Sequence, residues 1–126
     1  MKKTIYPRKC NKDNFDVQPP IVAFPIRFLR DLSKAIVQLK PQRAIIFGSA
    51  IREGLNARDI DLLILADFFS HVLWQDRHKL FDLPRGPIYD LRLFTPLEFE
   101  TFYPPTSPLR RSIEKEYIDL EEYYYV

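Results

Sequence analysis

The segment "PIRFLRDLSKAIVQLK" carries Leu29, Leu32, Ile36 and Leu39 at helical spacing, with Arg27, Arg30, Lys34 and Gln38 on the other faces. Steps of three and four between apolar positions predict an amphipathic helix. Pro25 suits its first position and Pro41 stops it. The next apolar block, "RAIIF", is short and β-branched, and predicts a buried strand that ends in a turn at Gly48. "DIDLLIL" predicts a second buried strand. "SHVLWQDRHKLFDL" reads as a helix with Val72, Leu73, Leu80 and Leu83 inward. "PIYDLRLF" alternates, with Ile88, Asp90, Arg92 and Phe94 on one side and Tyr89, Leu91 and Leu93 on the other, which is the period of a strand. "TPLEFETFY" and "SPLRRSIEKE" each open with a hydroxyl residue followed by proline, the start signal of a helix. An apolar-aromatic piece, "YIDLEEYYYV", closes the chain.

The order helix, strand, turn, strand, helix, strand, helices predicts an α+β fold, a small mixed sheet with helices packed mainly on one face. Residues 1–22 show little periodicity and many polar groups. They read as a loosely held arm, ending in a docked extended piece at Ile21-Val22, ahead of one domain over 23–126. A chain of 126 residues suits one domain with a small core. Eleven prolines against three glycines cut it into short elements.

Composition narrows the class. Apolar residues at 46% and charged residues at 29% are those of a soluble globular protein. No apolar run approaches a bilayer span. The basic "MKKTIYPRKC" is not followed by an apolar block with a cleavage site, so no signal peptide is expected. Cys10 is the single cysteine and allows no internal disulfide, which fits a reducing cytoplasm. A net charge of +2 is too mild to argue for a nucleic-acid partner.

Asp59 and Asp61 stand at the lip of the most apolar segment, where a carboxylate is costly unless something pairs with it. Alternation puts both on one face of their strand, roughly 6 to 7 Å apart. Hard oxygen ligands suit Mg²⁺, which is usually held by one or two carboxylates plus substrate phosphates. Two such ions about 3.5 to 4 Å apart clamp the attacking and leaving oxygens of a phosphoryl transfer. Asp90, inside the next strand and flanked by apolar neighbours, is the natural third ligand if that strand pairs beside "DIDLLIL". Gly48 lets the backbone approach a ligand closely, Ser49 adds a hydroxyl, and the residues that follow would open a helix whose free N–H groups favour phosphate oxygens.

The stretch "FGSAIREG...RDIDLLIL...IYDLRLFTPLEFE" resembles the minimal nucleotidyltransferases of the DNA polymerase β superfamily, over roughly Ala35 to Glu100. Their pattern is Gly-Ser, a short helix and loop, Asp-x-Asp, then a third Asp on a neighbouring strand. The resemblance implies that Gly48 and Ser49 hold the β and γ phosphates of ATP, with Arg52 as the basic residue of the short helix. It implies that Asp59 and Asp61 bind two Mg²⁺ ions, and that Asp90 binds the catalytic ion and helps deprotonate an acceptor hydroxyl. Arg58 stands where the family often has Ser or Thr, and Glu53 intervenes before Gly54. Many such domains pair with a small helical HEPN-type protein. There they act as antitoxins, moving AMP from ATP to a tyrosine of the toxin. Two other functions fit the same residues. One is a binding module that neutralises a partner by occlusion. The other is nucleotide addition to an RNA end, which the mild charge and the missing RNA-gripping domain disfavour.

Other side chains have plainer readings. His71 and His78 fall seven apart, a spacing that zinc would need a carboxylate to complete; a cap and a solvated face account for them. Trp74 reads as a core or interface anchor. Arg110, Arg111 and Lys115 read as a solvated helix face. Tyr123, Tyr124 and Tyr125 are too apolar to stay in water, and would cover this domain or dock on a partner.

Overall fold

Helix α1 (Ile26–Val37) forms where the apolar stripe predicts it, and buries Leu29, Leu32 and Ile36 completely. Pro25 is its N-cap rather than its first residue, and the chain leaves the last turn through Lys40, at φ 50, just before Pro41. The computed structural model describes residues 4–5, 8–9 and 24–124. Ile21-Val22, Cys10 and Tyr125 lie outside these residues.

The sheet receives α1 on one face. Its strands are β2 (Arg8–Lys9), β4 (Arg43–Phe47), β5 (Ile60–Leu65), β6 (Tyr89–Phe94) and β7 (Glu116–Asp119), in the order β2-β7-β4-β5-β6. β4 pairs antiparallel with both β5 and β7, whereas β5 and β6 run parallel, so the sheet is mixed. A separate short pair joins β1 (Thr4–Ile5) to β3 (Phe24–Pro25). The fold is of the expected α+β class, with a small mixed sheet.

Strand alternation divides the core. Ala44 and Ile46 of β4, Ile60, Leu62 and Ile64 of β5, and Leu93 of β6 face α1 and form the larger cluster. Ile45, Phe47, Leu63, Leu65 and Phe94 face the other way. There they meet Phe99 of α3 (Pro96–Phe102) and Ile113 of α4 (Pro108–Lys115). The smaller second cluster therefore gives the reverse face its own helices, where the sequence pattern predicts helices mainly on one face. Both start as their sequences dictate. Thr95 and Glu98 form a reciprocal capping box on α3, and the Ser107 side chain accepts from the Arg110 N–H on α4.

Two segments differ from the sequence reading. The "SHVLWQDRHKLFDL" stretch is not an α-helix; it forms 3₁₀ turns over Asp67–His71 and Trp74–Leu80. Leu73 and Leu80 are exposed, at 64% and 36%, while Phe69 and Arg77 are buried. The reason is tertiary. The Arg77 guanidinium donates to the carbonyls of Val72, Phe69 and Leu93, at 3.2, 2.9 and 3.0 Å, and pairs with both Glu98 oxygens. A helix would have used the Phe69 and Val72 carbonyls itself. The second difference is the chain end. Glu116–Asp119 is the strand β7, inserted between β2 and β4, which makes β4 interior.

The plainer side chains are also placed. Tyr123 is buried in the larger cluster, so this tyrosine covers the domain itself. Arg110 is not solvated: it lies over the Phe99 ring at 4.8 Å and donates to the Tyr103 carbonyl at 2.9 Å, while Arg111 and Lys115 are exposed. Trp74 is half exposed and meets Phe94 and Phe102 edge-on, with Arg77 over its ring at 4.2 Å. His71 and His78 are both exposed.

Candidate functional site

The centre of the site follows from register. β5 and β6 pair in parallel with Asp61 opposite Asp90, held by ladder bonds such as Ile60 N–H to the Ile88 carbonyl at 2.8 Å. Asp61 shares its sheet face with Leu63 and Leu65, and Asp90 shares its face with Phe94. Both carboxylates therefore project on the side that α3 and α4 cover further along the strands. Asp59 precedes β5 by one residue and has the same parity. Sequence alternation puts Asp59 and Asp61 together; the parallel pairing adds Asp90.

Gly48 ends β4 beside them, at φ 79. A Cβ built there would lie 2.3 Å from Asp61 Oδ2, so only glycine leaves room for this carboxylate. The sequence reading kept that space for a ligand. In the fold, the Asp61 side chain takes it. Ser49 is the N-cap of α2 (Ala50–Glu53), yet its hydroxyl makes no capping bond and its side chain is exposed. Its carbonyl accepts from the N–H groups of Arg52 and Glu53, both at 3.0 Å. Arg52 is exposed on α2, and among the described residues no carboxylate pairs with it.

The electrostatics are those of crowded acids. Burial, the hydrogen bond to Asp90, and the charges of Asp90 and Asp59 push the Asp61 carboxyl up to about 6 from 3.8, against the pull of Arg92. Arg92, which the sequence also offers as a plain ion-pair partner of Asp90, supplies the opposing charge. It follows Asp90 by two residues on the same face, and its guanidinium reaches Asp90 Oδ2 at 3.6 Å. The alternation of β6 was the signal that pointed to it. One arginine against three carboxylates leaves excess negative charge at this spot.

Such an excess suits a cation. Among the described residues, no three His, Cys, Asp or Glu side chains are gathered as a ready ligand cage. What is gathered is the Asp61–Asp90 pair, with Asp59 acting on Asp61 through its charge. That donor set fits Mg²⁺ in its usual mode, with one or two carboxylates from the protein and the remaining positions left to water and phosphate. It does not fit zinc, which favours histidine and thiolate ligands.

No protein-family model, no curated protein and no solved structure matches the chain. No helix among the described residues is long and apolar enough to cross a membrane.

Proposed function

We propose that this chain is a metal-dependent nucleotidyltransferase of the minimal DNA polymerase β type, transferring AMP from ATP to a hydroxyl of a partner protein. The observation that carries the reading is the opposition of Asp61 and Asp90 across β5 and β6, with the Gly48-Ser49 turn against Asp61. In this reading Asp59, Asp61 and Asp90 hold Mg²⁺. The metal, when bound, would neutralise charge on the phosphates and on the departing pyrophosphate. The free Ser49 hydroxyl and the exposed Arg52 bind the β and γ phosphates. Asp90 takes the proton of the acceptor hydroxyl at a carboxylate oxygen. The acceptor oxygen then bonds to the α-phosphorus as the bond to the bridging oxygen breaks, and pyrophosphate leaves. Beyond positioning, little covalent chemistry falls to the protein.

The resemblance makes the acceptor a tyrosine of a HEPN-type toxin and the chain its antitoxin, and the single cysteine fits a reducing cytoplasm. The test is incubation with α-labelled ATP, Mg²⁺ and the product of the adjacent gene. Label on that product, lost with Asp61→Asn, supports the reading. No label on it with any divalent cation overturns it, and label on RNA alone redirects it to RNA-end addition.

A second reading has its own observation. Arg92 already reaches Asp90, and no complete three-ligand cage stands ready among the described residues. A module that neutralises its partner by occlusion would look like this. Rescue from toxicity that survives Asp59→Asn together with Asp61→Asn selects that module.

A further inference from the structure

Arg58 stands next to Asp59 in the bend that leads into β5. Arg58 lines a recess of about 370 Å³ together with Arg85. The remaining walls are apolar: Phe28, Leu55, Ala57, Pro87 and Ile88. Leu55 and Ile88 are 46% and 69% exposed, which is a large area to leave in water unless something covers it. No carboxylate lines the recess. Among the described residues, neither Arg58 nor Arg85 is paired with one elsewhere.

The walls are held in place. The loop that carries Arg85 is tied down by the Tyr89 hydroxyl, which donates to the Pro84 carbonyl at 2.7 Å. The Ile60 N–H holds the Ile88 carbonyl at 2.8 Å. On the facing side, the Ala57 N–H closes a turn on the Gly54 carbonyl at 3.1 Å. Gly86, at φ 113, has nothing within 4 Å of where a Cβ would point, so the recess is open beside it. Two unpaired guanidinium groups over an apolar floor suit a ligand with an anionic end and a flat apolar body. Guanidinium forks bind phosphate oxygens in pairs, and the apolar walls reject an ion with no body to bury.

We infer that the Arg58–Arg85 recess binds a nucleoside phosphate, with the phosphate at the arginines and the base against Phe28, Leu55 and Ile88. Asp59, Asp61 and Asp90 are not among its walls, and the site needs no divalent cation. It goes beyond the proposed transfer reaction and stands without it.

The test is calorimetric titration of the full chain in EDTA with AMP, ATP and inorganic phosphate. AMP and ATP bind, AMP about ten-fold or more tighter than inorganic phosphate. Arg58→Ala with Arg85→Ala weakens AMP about ten-fold or more, while Asp61→Asn leaves it unchanged. In NMR spectra, AMP shifts the amide signals of Leu55 and Gly86. Absence of binding in EDTA overturns the inference. So does phosphate binding as well as AMP, or AMP affinity that survives loss of both arginines. If the double variant fails to fold, Arg85→Ala alone and the Gly86 signal decide the matter. The two proposals fail separately. Metal-free AMP binding with no Mg²⁺-dependent transfer removes the enzyme and keeps the recess; transfer without metal-free binding does the reverse.

Discussion

Asp61 Oδ2 occupies the space that a side chain on residue 48 would need, with only 2.3 Å between that oxygen and an added Cβ. The β4 turn and the β5 carboxylate are therefore one unit. Moving either one moves the other.

Gly48→Ala tests this coupling. The residue sits at φ 79, where any side chain is strained, and the new methyl would displace the Asp61 carboxylate. Strain of this kind costs on the order of 1–3 kcal/mol. Urea denaturation should show that loss, and Mg²⁺ should give less thermal protection than in the unmodified chain. Full stability and full Mg²⁺ response in the variant would show that Asp61 has another place to go.

Asp61 also sets a pH dependence. Its carboxyl is raised to about 6 in the folded chain, first by burial and then by Asp90. The folded state therefore holds this proton more tightly than the unfolded state does. The group's stabilising contribution is complete below the unfolded value of about 4, and is lost as pH rises through 6. Its size is on the order of 1 kcal/mol once solvent screening is allowed for. Without metal, stability should fall between these pH values, and Asp61→Asn should flatten the fall. Added Mg²⁺ should restore stability above pH 6 in the unmodified chain alone. Denaturation curves across this range, with and without Mg²⁺, make the comparison.

Arg92 pulls the same titration the other way. Its guanidinium lies 3.6 Å from Asp90 Oδ2, and its charge lowers the Asp61 value. Arg92→Ala should move the Asp61 titration, followed by carboxyl NMR, upward. A downward move would mean that the arginine does not face the pair.

Arg77 secures a different region. Its buried guanidinium joins three backbone carbonyls to Glu98 and so holds the 3₁₀ turns against the edge of β6. Arg77→Met leaves the buried Phe69 and Leu93 carbonyls without this donor and Glu98 without its cation, and should cost about 1–3 kcal/mol. Arg77→Lys keeps the charge but not the fork, and should recover only part of that. Glu98 is held below the usual carboxylate range, chiefly by Arg77. Its contribution is present at neutral pH and lost as pH falls through the lowered value. Acid denaturation of Arg77→Met should accordingly be shallower.

The amino-acid sequence alone determined the elements whose signal is local. The α1 stripe, the two buried strands, the alternation of β6, and the caps at Thr95 and Ser107 depend only on the period and on side chains next in line. The shared face of Asp59 and Asp61 follows from the same period. Tertiary structure decided what depends on partners distant in sequence. Register brought Asp90 opposite Asp61, since parallel pairing places residues 29 positions apart and leaves no local mark. Arg77 took carbonyls that a helix over the 70s would have used, and β4 recruited the chain end as β7 because its second edge needed a partner. Gly48 reads in sequence as a place of close backbone approach, and the fold sets the Asp61 carboxylate beside it. Excluded volume between distant atoms made that choice, and local pattern does not encode it.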